Sequence, residues 1–137
     1  MFEKYLICTP GFKNVTKNGQ ATGFQLNVRI SYYRGIFLSE VERFEVEVDG
    51  EKFGPDKITA SIGKESFPLT QLAKATYVRW HFGDPLTLTI SKPGGLAPGL
   101  HVVKLTESLR ISYGAREEVG PVRVSTAIAT KKITMVV

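Results

Sequence analysis

Phe24-Gln25-Leu26-Asn27-Val28-Arg29-Ile30-Ser31 is the stretch that decides the class of this fold. Four apolar residues alternate with four polar ones. In an extended chain that period puts Phe24, Leu26, Val28 and Ile30 on one face and the polar set on the other. A helix would spread both sets around its axis. The same period returns at Phe44, Val46 and Val48 against Arg43, Glu45 and Glu47, and again at Leu86, Leu88 and Ile90 against Thr87, Thr89 and Ser91. Asp49-Gly50 closes the second run, and a two-residue hairpin needs positive φ at both central positions, which this pair tolerates. Glu51 to Phe53 then begins the return strand. Further strands are expected over Lys57 to Ile62, over Thr76 to Phe82, and over Leu100 to Tyr113 as one strand or a pair. A final pair is expected at Pro121 to Ala129 and Lys131 to Val137. Thr70 to Ala75 reads as a short helical turn. Eight to ten strands separated by turn residues predict an all-β chain, an antiparallel β-sandwich or jelly-roll-like single domain over residues 1–137.

A chain of 137 residues with 42% hydrophobic and 23% charged residues has enough apolar material for one core. No apolar run is long enough for a membrane span. The first residues carry Glu3 and Lys4, and Pro10-Gly11 interrupts Tyr5 to Cys8, unlike a signal peptide. A cytoplasmic protein with no membrane association is therefore expected. Cys8, the single cysteine, is expected as a buried thiol. The net charge of +5 comes from residues scattered along the chain, with Lys131-Lys132 the one adjacent pair. Nucleic-acid binding needs such charges gathered on one face, so no nucleic-acid partner is expected.

The inventory for catalysis is thin. His81 and His101 are the only histidines, and no ligand spacing surrounds either; only chance convergence with Asp84 would make a metal site. No nucleophile elbow occurs. Glu45, Glu47, Asp49 and Glu51 read as the solvent face of a hairpin. No catalytic residue, metal ligand or cofactor is expected in this chain. Val78, Trp80 and Phe82 share one face of their expected strand and read as core, leaving Tyr77, Arg79 and His81 opposite. Two segments suit a partner interface or a substrate pocket. Tyr32, Tyr33 and Arg34 end the first strand, and tyrosine and arginine are favoured at interfaces. Pro93, Gly94 and Gly95 open a Pro/Gly-rich loop whose glycines permit close approach by another backbone.

The ordered set Tyr32-Tyr33-Arg34-Gly35-Ile36, Val46-Glu47-Val48-Asp49-Gly50, Val78-Arg79-Trp80, Phe82-Gly83-Asp84-Pro85, Lys92-Pro93-Gly94-Gly95-Leu96 and Arg110-Ile111-Ser112-Tyr113 resembles the β subunit of bacterial C-glycoside deglycosidases. The chain departs from that pattern at Phe37, where the family often has proline. The resemblance implies a small β-sandwich subunit paired with a larger TIM-barrel α subunit that looks like a sugar isomerase or epimerase. It also implies a divalent metal, typically manganese, in the partner, and a C-glycoside substrate at or near the shared interface. The implied reaction cleaves the carbon–carbon bond between an aromatic aglycone and a 3-keto sugar, and no catalytic residue carries over to this chain. The alternative reading is a stand-alone carbohydrate-binding module with Tyr32, Tyr33 and Tyr77 as its aromatic platform. An immunoglobulin-like adhesion domain is disfavoured by the missing signal peptide and disulfide.

Overall fold

Extended segments satisfy their backbone polar groups only by pairing with one another, and alternating segments bury one face when two sheets stack. The computed structural model describes residues 5–32, 35–111 and 123–135. They form, in chain order, β1 (Ile7–Lys17), β2 (Gln20–Val28), β3 (Ile36–Phe37), β4 (Val41–Val48), β5 (Glu51–Phe53), β6 (Ile58–Ile62), β7 (Glu65–Pro68), β8 (Arg79–Trp80), β9 (Leu86–Ser91), β10 (Gly99–Ile111) and β11 (Arg123–Met135). A five-stranded sheet runs β1-β2-β9-β6-β7, and a four-stranded sheet runs β11-β10-β4-β5, with β3 and β8 as a small separate pair. Every pairing among them is antiparallel. The fold is all-β and sandwich-like, as the period-two segments predict.

Register explains the core. Phe24 stands opposite Ile90, which stands opposite Ile58, and Leu26, Leu88 and Ala60 form the next row. On the other sheet Val103 faces Val48, and Leu105 faces Val46. All of these are buried in one cluster, with the Phe24 and Phe53 rings meeting edge to face at 5.5 Å between the sheets. Each fully buried leucine or isoleucine contributes roughly 1.5–3 kcal/mol relative to exposure. Asp49-Gly50 is the expected hairpin, with φ of 51° and 88°.

The structure departs from the sequence reading in β1, over Thr76 to Phe82 and after Pro121. β1 runs straight through Pro10-Gly11, because Gly11 at φ 92° absorbs an irregularity between Cys8 and Lys13. The strand expected over Thr76 to Phe82 shrinks to β8. Trp80 and Val78 are buried as expected, but Phe82 is 51% exposed and leaves the core. The chain turns there, with the Asp84 N–H donating to the His81 carbonyl at 3.1 Å. The pair expected after Pro121 is one strand, β11, since Thr130-Lys131 contains no turn residue and stays in register with Val103 and Lys104. The helical turn is a 3-10 segment over Leu69–Lys74. Residues 112–113, 121–122 and 136–137 of the expected strands lie outside the described residues.

Candidate functional site

The two candidate segments sit at opposite ends of the sandwich. Lys92 and Gly94 donate their backbone N–H groups to Thr22 and Ala21, near the start of β2. Ser31 and Tyr32 follow its far end. Nine residues of strand separate them, about 26 Å at the usual rise of 3.3 Å per residue.

The Pro93-Gly94-Gly95 end is fastened from within. The side-chain amide of Asn14 donates to the Leu96 carbonyl at 2.9 Å, and its oxygen accepts from the Leu96 N–H at 2.9 Å. Gly95 makes this possible, since a Cβ there would lie 2.6 Å from the Asn14 oxygen. Beyond the loop, His101 Nδ1 faces Asp49 Oδ2 and Nε2 faces the Ala97 carbonyl, both at 2.6 Å. Both ring nitrogens meet acceptors, so the doubly protonated ring satisfies both. The Ala97 and Asp49 hydrogen bonds raise the His101 pKa above its ordinary value. Asp49 also accepts from the Val102 N–H at 2.9 Å, and this bond and that to His101 hold its carboxyl below the usual range. Asp49 thus lies on the exposed hairpin as expected, with both carboxyl oxygens engaged within the chain. Lys92 pairs with Glu51 at 2.9 Å.

The opposite end is built differently. Tyr33 and Arg34 lie outside the described residues. Tyr32 is half-buried against the core, while Tyr77 is exposed in the connection before β8, with the Phe67 ring 6.2 Å from it. Gly35 lies tight against β8, where a Cβ would come 3.1 Å from the Trp80 carbonyl oxygen. Arg79 stacks over the Phe37 ring at 4.9 Å. Against Ser31 stands Glu107, fully buried. One carboxyl oxygen accepts from the Ser31 N–H at 2.7 Å, and among the described residues neither the other oxygen nor the buried Ser31 hydroxyl has a hydrogen-bond partner within bonding geometry. Burial pushes the Glu107 carboxyl up to about 7, against a smaller downward pull from Ser31. The sequence reading missed Glu107, although its signal was present: it shares odd parity with the core residues Val103, Leu105 and Leu109.

Among the described residues no three His, Cys, Asp or Glu side chains come together. Both His101 nitrogens are engaged, so this donor set does not fit a divalent ion. Cys8 is buried, and no helix among the described residues is long and apolar enough to cross a membrane.

Residues 2–113 match the family model for the C-glycoside deglycosidase beta subunit. The chain is 38% identical over 112 residues to the C-glycoside deglycosidase beta subunit of Eubacterium cellulosolvens, covering 81% of this chain and 76% of that one. It is 31% identical over 93 residues to the 3'-dehydrocarminate deglycosidase beta subunit of a Microbacterium species, covering 67% of this chain and 69% of the relative. Tyr32, the β4–β5 hairpin, the Trp80 turn and the Pro93–Gly99 loop all fall inside the matched span. This chain belongs to the C-glycoside deglycosidase beta subunit family.

Proposed function

We propose that this chain is the accessory β subunit of a hetero-oligomeric C-glycoside deglycosidase, with the chemistry mainly in a TIM-barrel α subunit. Family membership across residues 2–113 carries the reading. The reaction is cleavage of the carbon–carbon bond between an aglycone and a 3-keto sugar, which would make the complex a lyase acting in flavonoid C-glycoside catabolism in the cytoplasm. The 3'-dehydro prefix in the name of the Microbacterium relative supports an oxidised sugar as substrate. The 3-keto group acidifies the adjacent C–H, so an enolate can form and the aglycone can leave by elimination. A divalent metal held by the partner, manganese by resemblance, would supply Lewis-acid stabilisation of that enolate. This chain's part is to shape and close the shared interface. The segment Tyr32, Tyr33 and Arg34 is the contact segment we favour, because the pinned Pro93–Gly99 loop already spends its polar groups within the chain.

The chain should be inactive alone on a 3-keto-C-glycoside and should confer activity when co-expressed with its barrel partner, read as aglycone release. Full turnover by the barrel subunit alone, or by this chain stripped of metal, would overturn the assignment. Arg34→Ala should weaken co-purification by about 1–3 kcal/mol, the loss typical of an interfacial hot spot, and leave the melting of the lone chain unchanged.

A further inference from the structure

Among the described residues each sheet ends in two strands that pair on one side only: β1 and β7 in the five-stranded sheet, β11 and β5 in the four-stranded one. An unpaired strand edge is a template for another chain, and folded proteins blunt it by shortness, proline, a bulge or an inward-pointing charge. Three of these edges are blunted in the first three ways. β5 has three residues, β7 has four and ends in Pro68, and β1 is broken by register shifts after Cys8 and after Val15. β11 has none of these devices. It runs for 13 residues, pairs with β10 without a shift, and contains no proline.

The open groups of β11 follow from its register. The Asp49 N–H donates to the Val102 carbonyl, so Val102 turns its backbone groups toward the β4 hairpin and Val103 turns its own toward β11. Val103 stands opposite Lys131, which leaves the backbone groups of Val124, Thr126, Ile128, Thr130, Lys132 and Thr134 facing outward along the edge. Val124 and Ile128, each 53% exposed, add apolar side chains to that row. Lys131 points the other way. Ala129, Ile133 and Met135 share its parity and are buried, as is Val103 opposite. From this inner face its Nζ crosses to the other sheet and donates to the Ile7 carbonyl at 3.2 Å. That carbonyl belongs to the open edge of β1: the Arg29 N–H bonds Leu6, so Ile7, one residue on, turns its groups away from β2. One ammonium therefore closes the seam between β1 and β11. A strand added to β11 would cover it with an apolar inner face and supply no anion, which opposes the addition.

We infer that the open edge of β11 is a pairing surface for β11 of a second copy of this chain, held shut by Lys131. A strand edge is complementary to itself when two copies run antiparallel about a two-fold axis. Laid about Ile128, the two strands put Lys132 against Val124 and Lys131 against Ser125, so no two charges of one sign stand directly opposite.

The test is sedimentation of the full chain over a range of concentrations, with hydrogen exchange read at single amides. The parent should be a monomer in which Ile128 and Thr130 exchange freely while Ala129 is protected by β10. Lys131→Met keeps the side-chain length and removes the charge; it should dimerise and slow the Ile128 and Thr130 amides by about tenfold. Lys131→Arg should remain monomeric. Thr130→Pro added to Lys131→Met removes one edge N–H without touching the pairing with β10, and should return the chain to a monomer. If Lys131→Met does not melt cooperatively, Lys131→Gln is used in its place, since it keeps a donor for Ile7 and lacks the charge. A monomeric uncharged variant with unchanged exchange overturns the proposal. So does a dimer that survives Thr130→Pro, which puts the contact elsewhere, or a parent that already pairs through this edge, which leaves Lys131 nothing to hold shut.

Discussion

Glu107 and His101 are two polar side chains turned toward the interior of one strand, and they respond to pH for different reasons. Glu107 has its folded pKa raised to about 7 from 4.5 by burial. The folded state therefore holds its proton more tightly than the unfolded chain, and stability falls as pH rises from about 4.5 to 7, by roughly 3 kcal/mol in all. Glu107→Gln keeps the acceptor for Ser31 without a charge to bury, so the variant should be flat across that window and more stable than the parent at pH 8. Thermal melts at half-unit pH steps decide it; an unchanged slope would remove Glu107 as the cause. His101 is also raised, by partners instead of burial. Its contribution is complete below 6.5 and is lost as pH rises through its folded value. The NMR titration of its ring should have a midpoint above 6.5, and Asp49→Asn should bring it down. Asp49 acts on the acid side, its contribution present above 3.8 and lost as pH falls through its lowered value.

At the scale of the element, the loop after β9 separates backbone cost from lost pairing. Gly94 and Gly95 both have positive φ, at 86° and 65°. An alanine at Gly94 would meet nothing within 4 Å, whereas one at Gly95 would strike the Asn14 side chain. Gly94→Ala should cost about 1 kcal/mol, for backbone strain alone. Gly95→Ala should cost roughly 1–3 kcal/mol more, because the Asn14–Leu96 bonds go with it. Urea midpoints of the two variants measure the difference, and equal midpoints would show that Asn14 does not clamp the loop. These elements also show how far the sequence could be read. Phe24 to Ile30 and Asp49-Gly50 were legible because alternation and turn chemistry act locally. β1 was not, since Pro10-Gly11 looks like an end and only the pairing with β2 carries the strand past it. Val78, Trp80 and Phe82 imitate a strand, but only Arg79 and Trp80 find partners, in β3. The candidate site was legible in part: the Tyr32 segment could be picked by residue type, while buried Glu107 meets Ser31 from a strand 76 residues further along the chain, a contact that no local pattern announces.

For the whole molecule, the span that matches the family ends at residue 113, but the four-stranded sheet does not. β11 pairs with β10 from Gly99–Met135 to Ile111–Arg123 and buries Ala129, Ile133 and Met135. Burying Ile133 and Met135 alone stabilises by about 3–6 kcal/mol, a large part of the 5–15 kcal/mol that holds a typical domain. A chain cut after residue 122 should therefore lose cooperative unfolding and associate through the bared edge of β10, seen as a broad melt and early elution on gel filtration. A sharp melt with monomeric elution would make β11 dispensable. Trp80 offers a consequence of another kind. It is the one tryptophan in the chain, fully buried, and its indole N–H holds the Asp84 carbonyl at the root of the Phe82 turn. All indole fluorescence of this protein therefore originates beneath the end where we place the partner contact, and its emission wavelength is a built-in gauge of whether that end stays closed to solvent.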